Sequence, residues 1–137
     1  MSYLIDTCAL SELIKPSPEK SVVRWFNATA SESLFLSTLT LGEIRKGVEL
    51  LQDARRRSRI ASWLEVELPA WFEDRILPID AQVADEWGRM AARQKKQIPA
   101  IDGLLAATAL RHRLVVVTRN RKDFALAGVE ILDPWTF

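Results

Sequence analysis

Short blocks of consecutive apolar residues alternate along the chain with longer stretches in which apolar residues recur every three or four positions. The first block, Tyr3-Leu4-Ile5, stops at Asp6. The spacing of Ala9, Leu10, Leu13 and Ile14 predicts a short helix directly after it. Lys15-Pro16-Ser17-Pro18 should end that helix. Ser17 is the expected N-cap and Pro18 the expected first residue of a second helix, which carries Val22, Val23, Trp25 and Phe26. Leu34-Phe35-Leu36-Ser37 predicts a second strand, and Thr38 is the expected cap of a helix through Leu39, Leu41, Ile44, Val48 and Leu51. A long helical stretch is predicted over 53–72, broken near Pro69. Arg75-Ile76-Leu77-Pro78-Ile79 predicts a third strand. Asp80 then caps a helix bearing Val83, Ala84, Trp87, Met90 and Ala91, with Trp87 on its buried face. Gln97-Ile98-Pro99 is a break. The next helix begins near Ile101-Asp102 and ends in Arg111-His112-Arg113. Residues 114–117 give the clearest strand, and Ile131-Leu132 a last weak one closed by Pro134.

Helices alternating with short apolar strands predict an α/β fold with a mainly parallel sheet. With no linker, repeat or low-complexity stretch in between, residues 1–137 are expected to form one domain. The length of 137 residues and a hydrophobic share of 48% suit one domain with a real core. The apolar runs are far shorter than the roughly 20 residues of a bilayer span. The opening Met1-Ser2-Tyr3-Leu4-Ile5-Asp6 has no basic leader region and carries an acid where a signal peptide would be apolar. The expectation is a cytoplasmic protein with no membrane role.

Composition narrows the chemistry. There is one cysteine, Cys8, and one histidine, His112. A disulfide within the chain, a thiolate or histidine zinc site and a Ser–His or Cys–His nucleophile pair are thereby excluded. Any metal must be held by oxygen, which points to a hard cation such as Mg²⁺ or Mn²⁺. Cys8 reads as a small packing residue and His112 as a last-turn helix residue. The formal net charge of +1 decides nothing about nucleic acid. Its distribution says more. Arg119, Arg121 and Lys122 form one of several basic clusters that could track a phosphate backbone or simply coat a solvated face. Trp63 and Trp71 are candidates for a partner surface.

In open α/β sheets, function collects beyond the carboxyl ends of the strands. Asp6 ends the first strand. Glu43 falls in the second turn of the helix after the second strand, Asp102 in the first turn of a helix, and Asn120 and Asp123 in the loop after the strand ending at Val117-Thr118. Asp102 alone reads better as a helix cap or first-turn acid, and Glu43 could pair with Arg45 or Lys46 on a solvated face, although it sits among Leu41, Ile44 and Val48, close to the buried stripe. Asp6 is harder to dismiss. A carboxylate between an apolar strand and an apolar helix needs a partner, a shifted pKa or a metal. Carboxylates gathered at one sheet edge repel each other until a divalent cation cancels the charge.

These residues fall into a pattern. Tyr3-Leu4-Ile5-Asp6-Thr7, Leu41-Gly42-Glu43-Ile44-Arg45-Lys46-Gly47, Pro99-Ala100-Ile101-Asp102-Gly103-Leu104-Leu105 and Val117-Thr118-Arg119-Asn120-Arg121-Lys122-Asp123-Phe124 stand in that order. Together they resemble the four motifs of the PIN-domain ribonucleases. The likeness is closest to the VapC-type toxins, FitB-like branch included, of bacterial type II toxin–antitoxin pairs, and it covers essentially the whole chain. It implies a PIN-like fold, with a central parallel sheet of four or five strands between helices. It implies Mg²⁺- or Mn²⁺-dependent hydrolysis of RNA with one or two ions, leaving a 5′-phosphate and a 3′-hydroxyl. Asp6, Glu43 and Asp102 would be metal ligands, and Asn120 and Asp123 catalytic residues of a second tier, either Asp123 supplying the fourth carboxylate or Asn120 binding the ion's water shell. The pattern departs at Asn120, where many members carry an acid. Thr7, Ser11 and Thr118 are expected to support the site, and Arg119, Arg121 and Lys122 to grip RNA. The resemblance further implies a homodimer and a small VapB/FitA-like antitoxin. The rivals are a metal-dependent phosphatase-like enzyme with Asp6 as nucleophile, which lacks the usual paired acid beside Asp6, and a non-catalytic PIN-fold binding module.

Overall fold

The computed structural model describes all residues, 1–137. Five strands form one parallel sheet in the order β3-β2-β1-β4-β5. They are β1 (Tyr3–Ile5), β2 (Leu34–Ser37), β3 (Ile76–Leu77), β4 (Val115–Val117) and β5 (Ile131–Leu132). The central β1 pairs with β2 through Tyr3↔Leu34 and with β4 through Leu4↔Val116. The chain runs outward from β1 to β2 and β3 on one side, then returns to place β4 and β5 on the other. That reversal opens a crevice beyond the C-terminal ends of β1 and β4.

Helices cover both faces, so the strands read as continuous apolar runs, not as alternating ones. Successive side chains in a strand point to opposite faces. Accordingly Ile5 and Val117 enter one core with Leu10, Phe26, Leu36 and Phe72, while their neighbours Leu4 and Val116 enter the other with Met90, Leu105 and Phe124. The first core lies under α1 (Thr7–Glu12), α2 (Lys20–Ala28), α3 (Thr38–Leu50), α4 (Ala54–Ser62) and α5 (Leu68–Phe72). The second lies under α6 (Ala81–Arg93), α7 (Ala100–His112) and α8 (Arg121–Leu126). The inner side of α7 is small, with Gly103, Ala106, Ala107 and Ala109 buried, which lets it pack closely between α6 and the sheet. No helix is long and apolar enough to cross a membrane.

Several boundaries differ from the sequence expectation. Glu19, not Ser17, caps α2, and Pro18 stays outside the helix. The reason lies in α1: the buried Glu12 carboxylate accepts the Glu19 N–H at 2.9 Å and pairs with Lys15 at 2.8 Å, holding residues 15–19 as a loop. Ser37 caps α3 one residue ahead of Thr38, accepting the Leu39 N–H. The stretch before Phe72 does not break at Pro69. A π-helical turn over Trp63–Glu67 joins α4 to α5, and Pro69 lies in the first turn of α5. Widening the turn accommodates a ring that would collide with a carbonyl of a regular helix. The third strand shrinks to Ile76–Leu77, and Trp87 is exposed instead of buried.

Candidate active site

Asp6 occupies the hinge between strand and helix. Its N–H still pairs with the Val117 carbonyl as in the sheet, while its own carbonyl accepts the first N–H groups of α1 from Ala9 and Leu10. The side chain is only 7% exposed and fully engaged. Oδ1 accepts the Thr7 N–H at 2.8 Å, and Oδ2 accepts the Thr118 hydroxyl at 2.7 Å and the Cys8 thiol at 3.4 Å. Asp6 is therefore both the cap of α1 and the floor of the crevice. Such orientation by fixed hydrogen bonds leaves the carboxylate a single rotamer.

Thr118, wholly buried just past β4, relays this order outward. Its hydroxyl donates to Asp6 and accepts the Asn120 N–H at 3.0 Å. The Asn120 amide nitrogen in turn donates to Asp102 Oδ2 at 3.0 Å and to Asp123 Oδ2 at 3.1 Å. Asn120 and Asp123 do not lie in a loop, as the sequence reading had them. Asn120 is the N-cap of α8 and Asp123 stands in its first turn, three residues on and on the same side. On the opposite wall, the Thr7 hydroxyl donates to Glu43 Oε1 at 2.5 Å and lies 3.3 Å from the hydroxyl of the buried Thr40.

Four carboxylates thus converge on one crevice, and no cation answers them. The ion pairs of the protein are Glu12–Lys15, Arg45–Glu65 and Asp85–Arg89, none of which involves Asp6, Glu43, Asp102 or Asp123. Asp102 registers the strain: its carboxyl is pushed up to about 6 by desolvation, by the charges of Asp6 and Asp123, by a hydrogen bond with Asp123 and by Glu43. Cys8 belongs to the same environment and is not the packing residue expected. It is exposed, with its sulfur between Asp6 and Thr118. Desolvation around the sulfur and then the Asp6 charge push the thiol up to about 11.

As they stand, no group of three His, Cys, Asp or Glu side chains is arranged to hold a metal ion. Glu43 is turned to Thr7, and Asp102 and Asp123 to Asn120. An all-oxygen, unpaired, partly immobilised donor set fits a hard cation that keeps several waters and takes one or two carboxylates directly.

The other predicted residues divide. Ser11 lines a cavity of about 210 Å³ with Thr7 and Glu43 but bonds to none of the acids. Arg121 and Lys122 are exposed on the first turn of α8, beside Asn120, and form no ion pair. The Arg119 guanidinium lies 5.1 Å above the Trp135 ring and its charge reaches Glu12, so it is committed to packing at this edge. Sequence reasoning missed Thr40, although its position one turn before Glu43 on the same helix face was the available signal. His112, in the last turn of α7, stands outside the site.

A crevice of unpaired acids at the switch point of a parallel sheet defines a class, and comparison with known proteins agrees. Residues 3–129 match the PIN domain, and the chain belongs to that family. It is 37% identical to Toxin FitB of Neisseria gonorrhoeae over 135 residues, covering 96% of this chain and 97% of that one. It is 35% identical to VapC ribonuclease Y4jK of Sinorhizobium fredii, covering 96% of both. The crystal structure of FitAcB from Neisseria gonorrhoeae superposes with a TM-score of 0.94 at 36% identity, over 98% of this chain and 99% of that one.

Proposed function

We propose that this protein is a metal-dependent endoribonuclease, the toxin of a VapBC-type pair, acting as one PIN domain over residues 1–137 in the cytoplasm. The observation that carries the reading is the crevice of Asp6, Glu43, Asp102 and Asp123, which no basic side chain neutralises. The kinship to a named VapC ribonuclease and a named toxin supports it.

Asp6, Glu43 and Asp102 would hold one or two Mg²⁺ or Mn²⁺ ions, directly or through water. When bound, such an ion supplies an activated water nucleophile and neutralises charge on a phosphoryl oxygen. The chain's own part is placement. Thr7 N–H and the Thr118 hydroxyl fix the Asp6 carboxylate, so no rotamer freedom is lost when it binds. Asn120 bridges Asp102 and Asp123 at the rim without adding another negative charge. Thr7 keeps Glu43 against the wall of the crevice, and Ser11 presents a hydroxyl to the same space. Arg121 and Lys122, exposed beside Asn120 and free of ion pairs, would take RNA phosphates and offset the acids' repulsion of the backbone. Arg119 would act mainly by bracing that turn. The products expected are a 5′-phosphate and a 3′-hydroxyl.

The partner would be a small VapB/FitA-like antitoxin, with the toxin itself a homodimer. The cavities lined by Ile14, Ile44, Leu51, Ile60 and Trp63, between α1, α3 and α4, would offer the antitoxin's tail apolar anchors and open beside Glu43.

The deciding experiment is digestion of RNA with and without chelator by wild type and Asp6→Asn. Cleavage should require Mg²⁺ or Mn²⁺ and fall by about a thousandfold in the variant, the scale of losing one preorganised charge-stabilising group. Circular dichroism should show the variant folded. Full activity in folded Asp6→Asn would overturn the assignment.

A further inference from the structure

We infer that the cleft between α6 and α7 is a nucleobase-binding subsite that sets where RNA is cut; the inference rests on the ribonuclease reading above. The cleft measures about 350 Å³ and is lined by Trp87, Met90, Gln94, Lys95, Ile98 and Gly103, among others. That volume lies in the usual range of small-ligand sites, about 300–1,000 Å³.

Three features give the cleft its chemistry. The first is Trp87, a large aromatic left 38% exposed although its helix is amphipathic and its neighbours Val83 and Met90 are buried. The indole N–H has no acceptor in the protein. The second is Gly103, where a Cβ would come within 3.0 Å of Trp87 Nε1. The indole therefore rests directly on the backbone of α7, one residue beyond Asp102. The third is the rim. Lys95 and Lys96 are exposed and enter no ion pair, and Gln94 and Gln97 add amides with both donors and acceptors.

An apolar aromatic wall, amides and two unpaired ammonium groups match one RNA nucleotide. The base stacks on the indole, the amides meet its polar edge, and the lysines take the flanking phosphates. The position of the cleft makes it selective. Because Trp87 touches the residue after Asp102, a base seated there fixes which phosphate of the strand reaches the carboxylates. Preference for a nucleotide at one position beside the cut follows from that fixed spacing.

The test uses single-stranded RNA of mixed sequence, digested with Mg²⁺ by wild type, Trp87→Ala, Trp87→Phe and Lys95→Ala/Lys96→Ala, with the new ends sequenced. Binding of the same labelled RNA is measured on the Asp6→Asn background. Trp87→Ala should raise KM and weaken binding about tenfold, change kcat far less, and flatten the preference at one position. Trp87→Phe should keep most of both. The lysine pair should raise KM and reduce salt dependence while the preference remains. Gly103→Ala, which displaces the indole, should shift the preference in the same direction as Trp87→Ala. Cleavage at the same positions with the same KM in Trp87→Ala would overturn the subsite and leave the ribonuclease reading intact. Uniform loss at every sequence, with Trp87→Ala monomeric and wild type dimeric by sedimentation, would make the cleft an interface between copies and also overturn it. A wild type that cuts no RNA would overturn both.

Discussion

Asp6 carries the most structure of any side chain here, because it is sheet residue, helix cap and crevice floor at once. Its burial could be suspected from sequence, since it closes an apolar strand and opens an apolar helix. Its partners could not, because Thr118 is 112 positions away and only the β1–β4 pairing brings the two together. If the four acids form one cation site, Mg²⁺ or Ca²⁺ should stabilise the native state by about 2.7 kcal/mol at a hundredfold excess over Kd. Calorimetry should show the rise in Tm in wild type and its absence in Asp6→Asn/Asp102→Asn. An equal shift in both proteins would mean the ion binds elsewhere. Glu12 makes a separate prediction about acid. Its hydrogen bond to Lys15 and the Glu19 N–H hold the carboxyl below its ordinary value of 4.5, despite its burial. A carboxyl with a lowered folded pKa contributes stability above the unfolded value and loses it as pH falls through the folded one. Urea titrations should therefore show wild type losing stability below pH 4.5 more steeply than Glu12→Gln, the difference vanishing near neutrality.

The elements were largely legible, because two periodicities separate cleanly: runs of Leu, Ile and Val for doubly covered strands, and three-to-four spacing for helices. What was not legible was set by distant side chains. Ser17 and Pro18 form a sound helix-start signal, yet Glu12 holds their segment as a loop. Pro69 looked like a stop, yet a π-turn absorbed it. Asn120 and Asp123 lay in an apparent loop because α8 spans only Arg121–Leu126, and its anchor Phe124 is one buried ring among exposed residues. Trp87 fitted the apolar stripe of α6, and nothing in its spacing revealed that Gly103 would hold it at the surface. One element end carries evident strain. Glu73, after α5, has φ 51 and ψ −118, a conformation that favours glycine. Glu73→Gly should stabilise the protein by about 1 kcal/mol, the relief exceeding the entropy glycine adds to the unfolded chain. Chemical denaturation would check it, and no gain would mean that the Glu73 side chain contributes more than its backbone costs.

At the scale of the whole molecule, an acidic crevice that needs a cation is also open to a basic side chain. An antitoxin tail lying along Ile14, Leu51, Ile60 and Trp63 would end beside Glu43, where an arginine can pair bidentately with the carboxylates. The complex should co-purify from cells that express the neighbouring gene, and should cleave RNA far more slowly than the free toxin. Replacing the arginine by alanine should restore cleavage without releasing the tail, whose apolar anchors remain; a complex as active as the free protein would sink this mode of inhibition. The sheet also decides how the molecule can change over time. Leu4 and Ile5 feed opposite cores, and the same alternation delivers Asp6 to the crevice. An insertion or deletion in β1 would exchange the two cores, so a lineage carrying it would fail as a folded protein before it failed as an enzyme. Packing thus guards that side of the site against drift at no separate cost. The far side has no such guardian: Asn120 stands exposed at the head of a short helix, where one codon can replace it and leave both cores untouched.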